Sequence, residues 1–134
     1  MMKKIVSILI CCVTTASVAY NCPDSGTITV SNHVISAPAD YIIAPTTPIP
    51  AEGGINFRRG MLVTQVIDNT RVNLNSIYCT YKVGDEDNTG FFELRKHFLS
   101  ITTTDQALIA NGWSAHNNRK WFDCVGNNNN LCMY

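Results

Sequence analysis

Apolar and polar positions alternate with a period of two over much of this chain, the mark of half-buried strands. Between Gly26 and His33, Ile28 and Val30 fall on one side and Thr27, Thr29 and Ser31 on the other. From Phe57 to Asp68, Met61, Val63 and Ile67 share one parity and Leu62 and Val66 the other, so both faces of this strand are expected to be partly covered. Arg71 to Val83 is a long strand in which Val72, Leu74 and Tyr78 have one parity and Ile77, Cys79, Tyr81 and Val83 the other. A strand changes its buried face only through an extra residue, so a bulge or bend is predicted near Ser76. In the run Phe91 to Thr103, Phe92, Leu94 and Phe98 face one way and Glu93, Arg95 and His97 the other. Arg119 to Val125, with Trp121 and Phe122, reads as a last strand, and Tyr78, Trp121 and Phe122 are expected in the core.

The segments between these runs carry turn chemistry. Asp68-Asn69-Thr70 and the stretch from Gly84 to Gly90 are hairpin connections, because Asp and Asn bond their own backbone and Gly relaxes its dihedral limits. Thr103-x-x-Gln106 fits a capping box for one short helix over Gln106 to Asn111, with Gly112 placed to stop it. Trp113 to Asn118 is a polar link. Residues 37–54 hold Pro38, Pro45, Pro48 and Pro50, which remove donors and fix φ, so an irregular excursion anchored by Tyr41, Ile42 and Ile43 is expected there. The sum is mainly β: roughly five antiparallel strands in a small antiparallel β-sandwich or open barrel, with one short helix.

The chain starts with the three parts of a secretory signal peptide. Met1-Met2-Lys3-Lys4 is positive, Ile5 to Val13 is apolar, and Ser17-Val18-Ala19 offers small residues to signal peptidase. The apolar run is about half of what a bilayer span needs. Lipid attachment needs a small residue before the cysteine, and Asn21 and Ile10 precede Cys22 and Cys11. Residues 1–19 are therefore expected to be removed, leaving residues 20–134 as a single disulfide-stapled domain without a membrane span.

Composition sharpens this picture. The 134 residues are 46% hydrophobic and 15% charged, with formal net charge +0. Length allows one domain, and near-neutrality argues against a nucleic-acid binder that works by neutralising phosphates. Cleavage removes two of the six cysteines, and Cys22, Cys79, Cys124 and Cys132 remain. Four cysteines in an exported chain read as two disulfides. Spacing alone leaves three pairings open. The favoured pairing is Cys124 with Cys132, across a polar glycine-containing loop, and Cys22 with Cys79. A zinc site is disfavoured, since the chain has neither Cys-x-x-Cys nor a close Cys/His pair. No cofactor is implied.

Candidate chemistry is sparse. Asp85, Asp87 and Thr89 could begin a calcium site, but the EF-hand spacing is absent and a solvated hairpin tip is the simpler account. His33, His97 and His116 could supply acid–base catalysis, with Lys82 or Lys120 holding a phosphate, but their spacing does not support it. No Gly-x-Ser-x-Gly frame is present. Arg58-Arg59 could hold an anion, although a pair on a strand usually splits between faces. Tyr and Trp with Asn could form a sugar or protein surface, because rings bury area at small entropic cost and amides give directional bonds. The residues chosen on this ground are Tyr81, Trp113, Asn117 and Asn118, with core and surface both open for Trp113.

Cys22-Pro23 at the mature start, Cys79-Thr80-Tyr81 on a central strand, and Trp121 to Cys124 ahead of Cys132 form an ordered set. In these the chain resembles a family of small exported proteins of Gram-negative bacteria whose domain has no known function. The resemblance implies a periplasmic or secreted protein, with type II secretion as a route, and it carries no catalytic residues across. The stretch from Pro38 to Pro50 and the Asn-rich run are outside it.

The leading expectation is an exported, non-enzymatic domain that binds a protein or glycan. One alternative is a small secreted hydrolase using His97 or His116 within reach of a carboxylate in a cleft. Another is an inhibitor of a host or competitor enzyme, presenting the Pro-rich segment or the Cys124–Cys132 loop. Non-reducing peptide mapping of the purified exported protein should find Tyr20 as its first residue and no free thiol. A protein retaining Met1, or carrying free thiols, overturns the export reading.

Overall fold

A computed structural model describes residues 22–125 and Cys132. The expected signal segment 1–19 and the Asn-rich run 127–130 lie outside the described residues. A 3₁₀ turn, Ser25–Thr27, precedes β1 (Thr29–Ser31), β2 (Val34–Ser36), β3 (Ile42–Pro45), β4 (Ile55–Val66), β5 (Arg71–Gly84), β6 (Thr89–Thr104), α1 (Asp105–Ala110), β7 (Ser114–His116) and β8 (Trp121–Val125). β1 and β2 form a two-stranded sheet; the other strands form a six-stranded sheet in the order β3-β6-β5-β4-β8-β7. All of the pairings are antiparallel. The large sheet is open and its two edge strands do not meet, so the expected mainly β architecture takes its open form, with one short helix and two disulfides.

Hydrophobic alternation explains which face is covered. Phe57, Leu62, Leu74, Ile77, Cys79, Tyr81, Val83, Phe92, Leu94 and Phe122 point inward and are buried. Against them pack Cys22, Ile28 and Ile35 from the N-terminal segment, Leu108 from α1, and Trp113. Full burial of one such side chain contributes roughly 1.5–3 kcal/mol, so this single cluster carries most of the driving force. The parity change anticipated near Ser76 is present as a register shift between Leu74 and Ser76. A second shift between Phe57 and Arg59 leaves Arg58 without a cross-strand partner.

Two close approaches fix the covering layer to the sheet. At Gly60 an added Cβ would lie 2.9 Å from the Trp113 ring and 3.2 Å from the Cys22 sulfur. At Gly90 it would lie 2.5 Å from the Pro48 carbonyl oxygen. Only residues without a side chain let the N-terminal and Pro-rich segments settle this close. Cys22 and Cys79 are bonded with Cα atoms 5.6 Å apart, joining the first described residue to the middle of β5. Beside this bridge the Tyr81 hydroxyl donates to the Pro23 carbonyl. Burial, the largest cause, raises the Tyr81 pKa far above its ordinary range. Half-buried Tyr41 is raised to about 12, again mainly by burial.

Several local expectations are corrected. The run from Gly26 to His33 is not one strand. The Asp24 side chain accepts from the Gly26 N–H and caps the 3₁₀ turn. Asn32 and His33, at φ 49° and 67°, then turn the chain into a hairpin. The Pro-rich segment contributes β3, an edge strand that tolerates Pro45 at its end. The helix cap is Thr104, whose hydroxyl accepts from the Ala107 N–H, one residue after the Thr103 of the expected capping box, and the helix spans Asp105–Ala110 rather than Gln106 to Asn111. The polar link contains β7. Tyr78 and Trp121 are half-buried on the side of the sheet away from the core cluster.

Replacing the Cys22–Cys79 bridge by C22A/C79A should lower unfolding free energy by roughly 3–4 kcal/mol in the chain-entropy picture of a long closed loop. Urea unfolding at neutral pH checks this. A loss below about 1 kcal/mol would mean that packing at Gly60 alone holds the N-terminal segment.

Candidate functional site

The second face of the six-stranded sheet is built by the positions between the core residues. Cross-strand register lines up Ile42, Arg95, Tyr78, Met61, Asp123 and Ser114 in a row across all six strands. A flanking row runs Ala44, Glu93, Thr80, Arg59, Val125, and another runs His97, Ser76, Val63, Trp121, His116. Directly opposed residues of an antiparallel pair share a face, so these rows form one surface. The expectation that β4 is covered on both faces is met by neighbours within the sheet: Met61 and Val63 are half-buried among these side chains.

At one end of this face four side chains form a network. His116 and Trp121 stack with centroids 4.2 Å apart and planes 12° from parallel. The Arg59 guanidinium lies over the same indole, 5.6 Å from its centroid. Asp123 ties both partners: one oxygen is 2.7 Å from His116 Nε2 and the other 3.3 Å from Arg59 Nη2. Nearer β3, Arg95 lies 5.5 Å over the Tyr78 ring and pairs with Glu93 at 2.5 Å. Each guanidinium is thus held between a carboxylate and a ring, which restricts its rotamers at little cost in exposure.

The four residues singled out from the sequence are not brought together. Tyr81 is 0% exposed and Trp113 is 1% exposed, both in the core cluster. Neither ring has a surface to offer, because β5 parity turns Tyr81 inward and the chain after α1 folds Trp113 under Gly60. Asn117 and Asn118 are exposed in the β7–β8 turn at φ 50° and 54°, where asparagine tolerates the left-handed region. They follow His116 directly and border the network. Arg59, Tyr78, His116, Trp121 and Asp123 are the residues that sequence reasoning missed as a group. Their common parity on neighbouring strands was the available signal.

Other candidates resolve into structural roles. Asp85 Oδ1 accepts from the Asp87 and Asn88 N–H groups at 3.2 and 3.0 Å, so its carboxylate shapes the hairpin tip. At the opposite hairpin, Asp68 accepts from the Thr70 and Arg71 N–H groups and from the Arg71 side chain. The Thr70 N–H bond, first, and the Arg71 side chain hold its carboxyl well below the usual carboxylate range. His97 is exposed on the outer face, as its alternation implied, and His33 Nδ1 lies 2.7 Å from the Ile49 carbonyl. The Pro-rich segment is tied to β6, with the Phe91 N–H donating to Thr47 Oγ1 at 2.7 Å. A cavity of about 260 Å³ is lined by Asn69, Thr70, Thr104, Asp105 and Gln106, at the β5–β6 end where α1 begins, and its lining does not include the network residues. Among the described residues no helix is long and apolar enough to cross a membrane, and no cluster of three His, Cys, Asp or Glu residues is placed to hold a metal.

Comparison of the chain with protein-family models, with curated proteins and with solved structures finds no match.

The two tryptophans should report separately. With Trp121 replaced by Phe, emission from Trp113 should resist collisional quenching. With Trp113 replaced by Phe, iodide should quench Trp121 more strongly than caesium at equal ionic strength, because Arg59 draws the anion to the ring. Equal quenching by both ions would remove Arg59 from the indole.

Proposed function

We propose that the chain is an exported, disulfide-stapled binding domain whose outer sheet face docks a protein. The observation that carries this reading is the composition of a broad surface spread over neighbouring strands. Trp121, Tyr78, Met61, Arg59 and Arg95 stand across neighbouring strands, and these residue types are over-represented at protein interfaces. Arg59 and Arg95 each lie beside a carboxylate of the face, which holds the guanidinium in place before docking. A glycan is the less favoured ligand, since a sugar stacking on Trp121 has to compete with His116 and Arg59 for the ring. Two disulfides suit the oxidising compartment that an exported chain enters.

The His116–Asp123 pair favours a second reading, in which Asp123 orients His116 as a general base for hydrolysis and Arg59 faces developing negative charge. The pair sits on an open face, and the cavity at Asn69 and Gln106 does not include it. Binding therefore has the stronger support.

Photo-crosslinking residues at Thr80 and Val125, on the outer face, should yield a defined protein adduct in the producing cells. The same probes at exposed Val34 and Ile109, off that face, should not. Adducts of equal yield from all four positions, or none from the outer pair, overturn the binding-face reading.

A further inference from the structure

The outer face carries one arrangement twice. Asp123, Arg59 and Trp121 make the first copy, and Glu93, Arg95 and Tyr78 the second. In both, the carboxylate is recessed and the guanidinium stands above it. Side-chain exposure is 46% for Arg59 against 17% for Asp123. It is 43% for Arg95 against 20% for Glu93. The acid and the ring fix the guanidinium from below, and donors of its five-membered N–H set remain for a partner. An arginine held this way has little rotamer entropy left to lose on docking.

The charge of the face follows from this layering. Glu93 and Asp123 are the two acidic residues within the described strands, and both are recessed under arginines. Arg59, Arg95 and Lys82 share the outward parity with them. A partner approaching the sheet therefore meets cationic tips, although the exported chain, having lost Lys3 and Lys4, has 8 basic against 10 acidic residues (10 − 2 = 8) and is net negative. Arg59 on β4 and Arg95 on β6 are separated by one intervening strand and by two residues of register, which sets their backbones roughly 12 Å apart at ordinary strand spacing and rise. That span is too wide for one carboxylate and suits two.

We propose that the partner is a protein with an acidic surface, and that Arg59 and Arg95 are the paired anchors, each taking one carboxylate of it. The proposal rests on the protein-binding reading of the outer face and adds the charge of the partner. Electrostatic complementarity of this kind speeds encounter and selects against basic partners.

The test is an NMR titration of the ¹⁵N-labelled exported protein with poly-L-glutamate, polygalacturonate and poly-L-lysine at low salt. Poly-L-glutamate should shift the Arg59 and Arg95 Nε–Hε signals and the Trp121 indole signal together, and poly-L-lysine should not. R59Q/R95Q should weaken that binding at least ten-fold, while K120Q, a charge removed from the β7–β8 turn, should leave it within two-fold. Absence of shifts at both arginines, or equal weakening by K120Q, overturns the proposal. So does polygalacturonate binding ten-fold more tightly than poly-L-glutamate, which would make the ligand an acidic glycan. R59Q/R95Q carried into the Thr80 and Val125 crosslinking experiment separates the two readings. A ten-fold loss of adduct supports the acidic partner. An adduct that survives the double substitution keeps the binding face and overturns the acidic partner. Absence of any adduct in the parent protein overturns both.

Discussion

The covalent bond between Cys22 and Cys79 decides which side of the sheet becomes the interior. Cys79 lies on β5, a central strand with neighbours on both sides, and points inward. The bond therefore delivers the start of the folded chain to the middle of one face. Once Cys22 is there, the Tyr81 hydroxyl reaches the Pro23 carbonyl, Ile28 enters the core, and the β1–β2 hairpin covers the sheet through Ile35. Gly60 opposite Cys79 is the steric counterpart of the bridge, because a side chain there would strike both Cys22 and Trp113. A covering layer built by the N-terminal segment, α1 and Trp113 leaves the opposite face of the sheet to solvent.

An open sheet face needs its own account of stability. Antiparallel sheets commonly bury one side and solvate the other, and the solvated side is then polar. Here it mixes aromatic rings with ion pairs. Cross-strand neighbours supply what a second layer would otherwise give: the ring stack of His116 on Trp121, the guanidinium–ring contacts, and the carboxylates beneath them. Each such pair contributes roughly 0.2–1 kcal/mol, enough to order the side chains though far less than the core cluster provides. The bulge at Arg58 serves the same end, since it lets Phe57 and Gly60 both face the core while Arg59 still faces out.

The strands β4, β5, β6 and β8, the inward set of β6 and the face change near Ser76 were legible because period-two alternation is local, whereas the short strands β2, β3 and β7 were not. The disulfide pairing was favoured from the chemistry of one loop, the polar glycine-containing stretch between Cys124 and Cys132, which leaves Cys22 for Cys79. What escaped was everything set by register. Trp121 and Tyr78 looked like core residues because large rings usually are. Only the pairing of Met61 with both Tyr78 and Asp123 puts them on the outer side. Tyr81 and Trp113, chosen as ligand contacts, lie in the core instead: Tyr81 has the inward parity of Cys79 and Val83, and the polar neighbourhood that left Trp113 open says little about a side chain that folds beneath Gly60. His116 was set aside as part of a link, since its partner Asp123 is brought to it by an antiparallel turn through three residues with positive φ.

The layering of charge is what distinguishes the proposed binding face from an ordinary solvated sheet face. Solubility is served by charges of both signs extended into water, where a surface ion pair is worth little and each side chain keeps its freedom. On this face the acids are withdrawn and the guanidiniums are laid on rings, so freedom is given up before any ligand arrives. Folding gains only the modest cross-strand term from that restriction, roughly 0.2–1 kcal/mol per pair. Association gains more, since order already present in the free protein is not charged against the complex. The repeated acid–arginine–ring arrangement is the feature on which the proposed binding face rests, and its exposed guanidiniums are what the proposed acidic partner would meet.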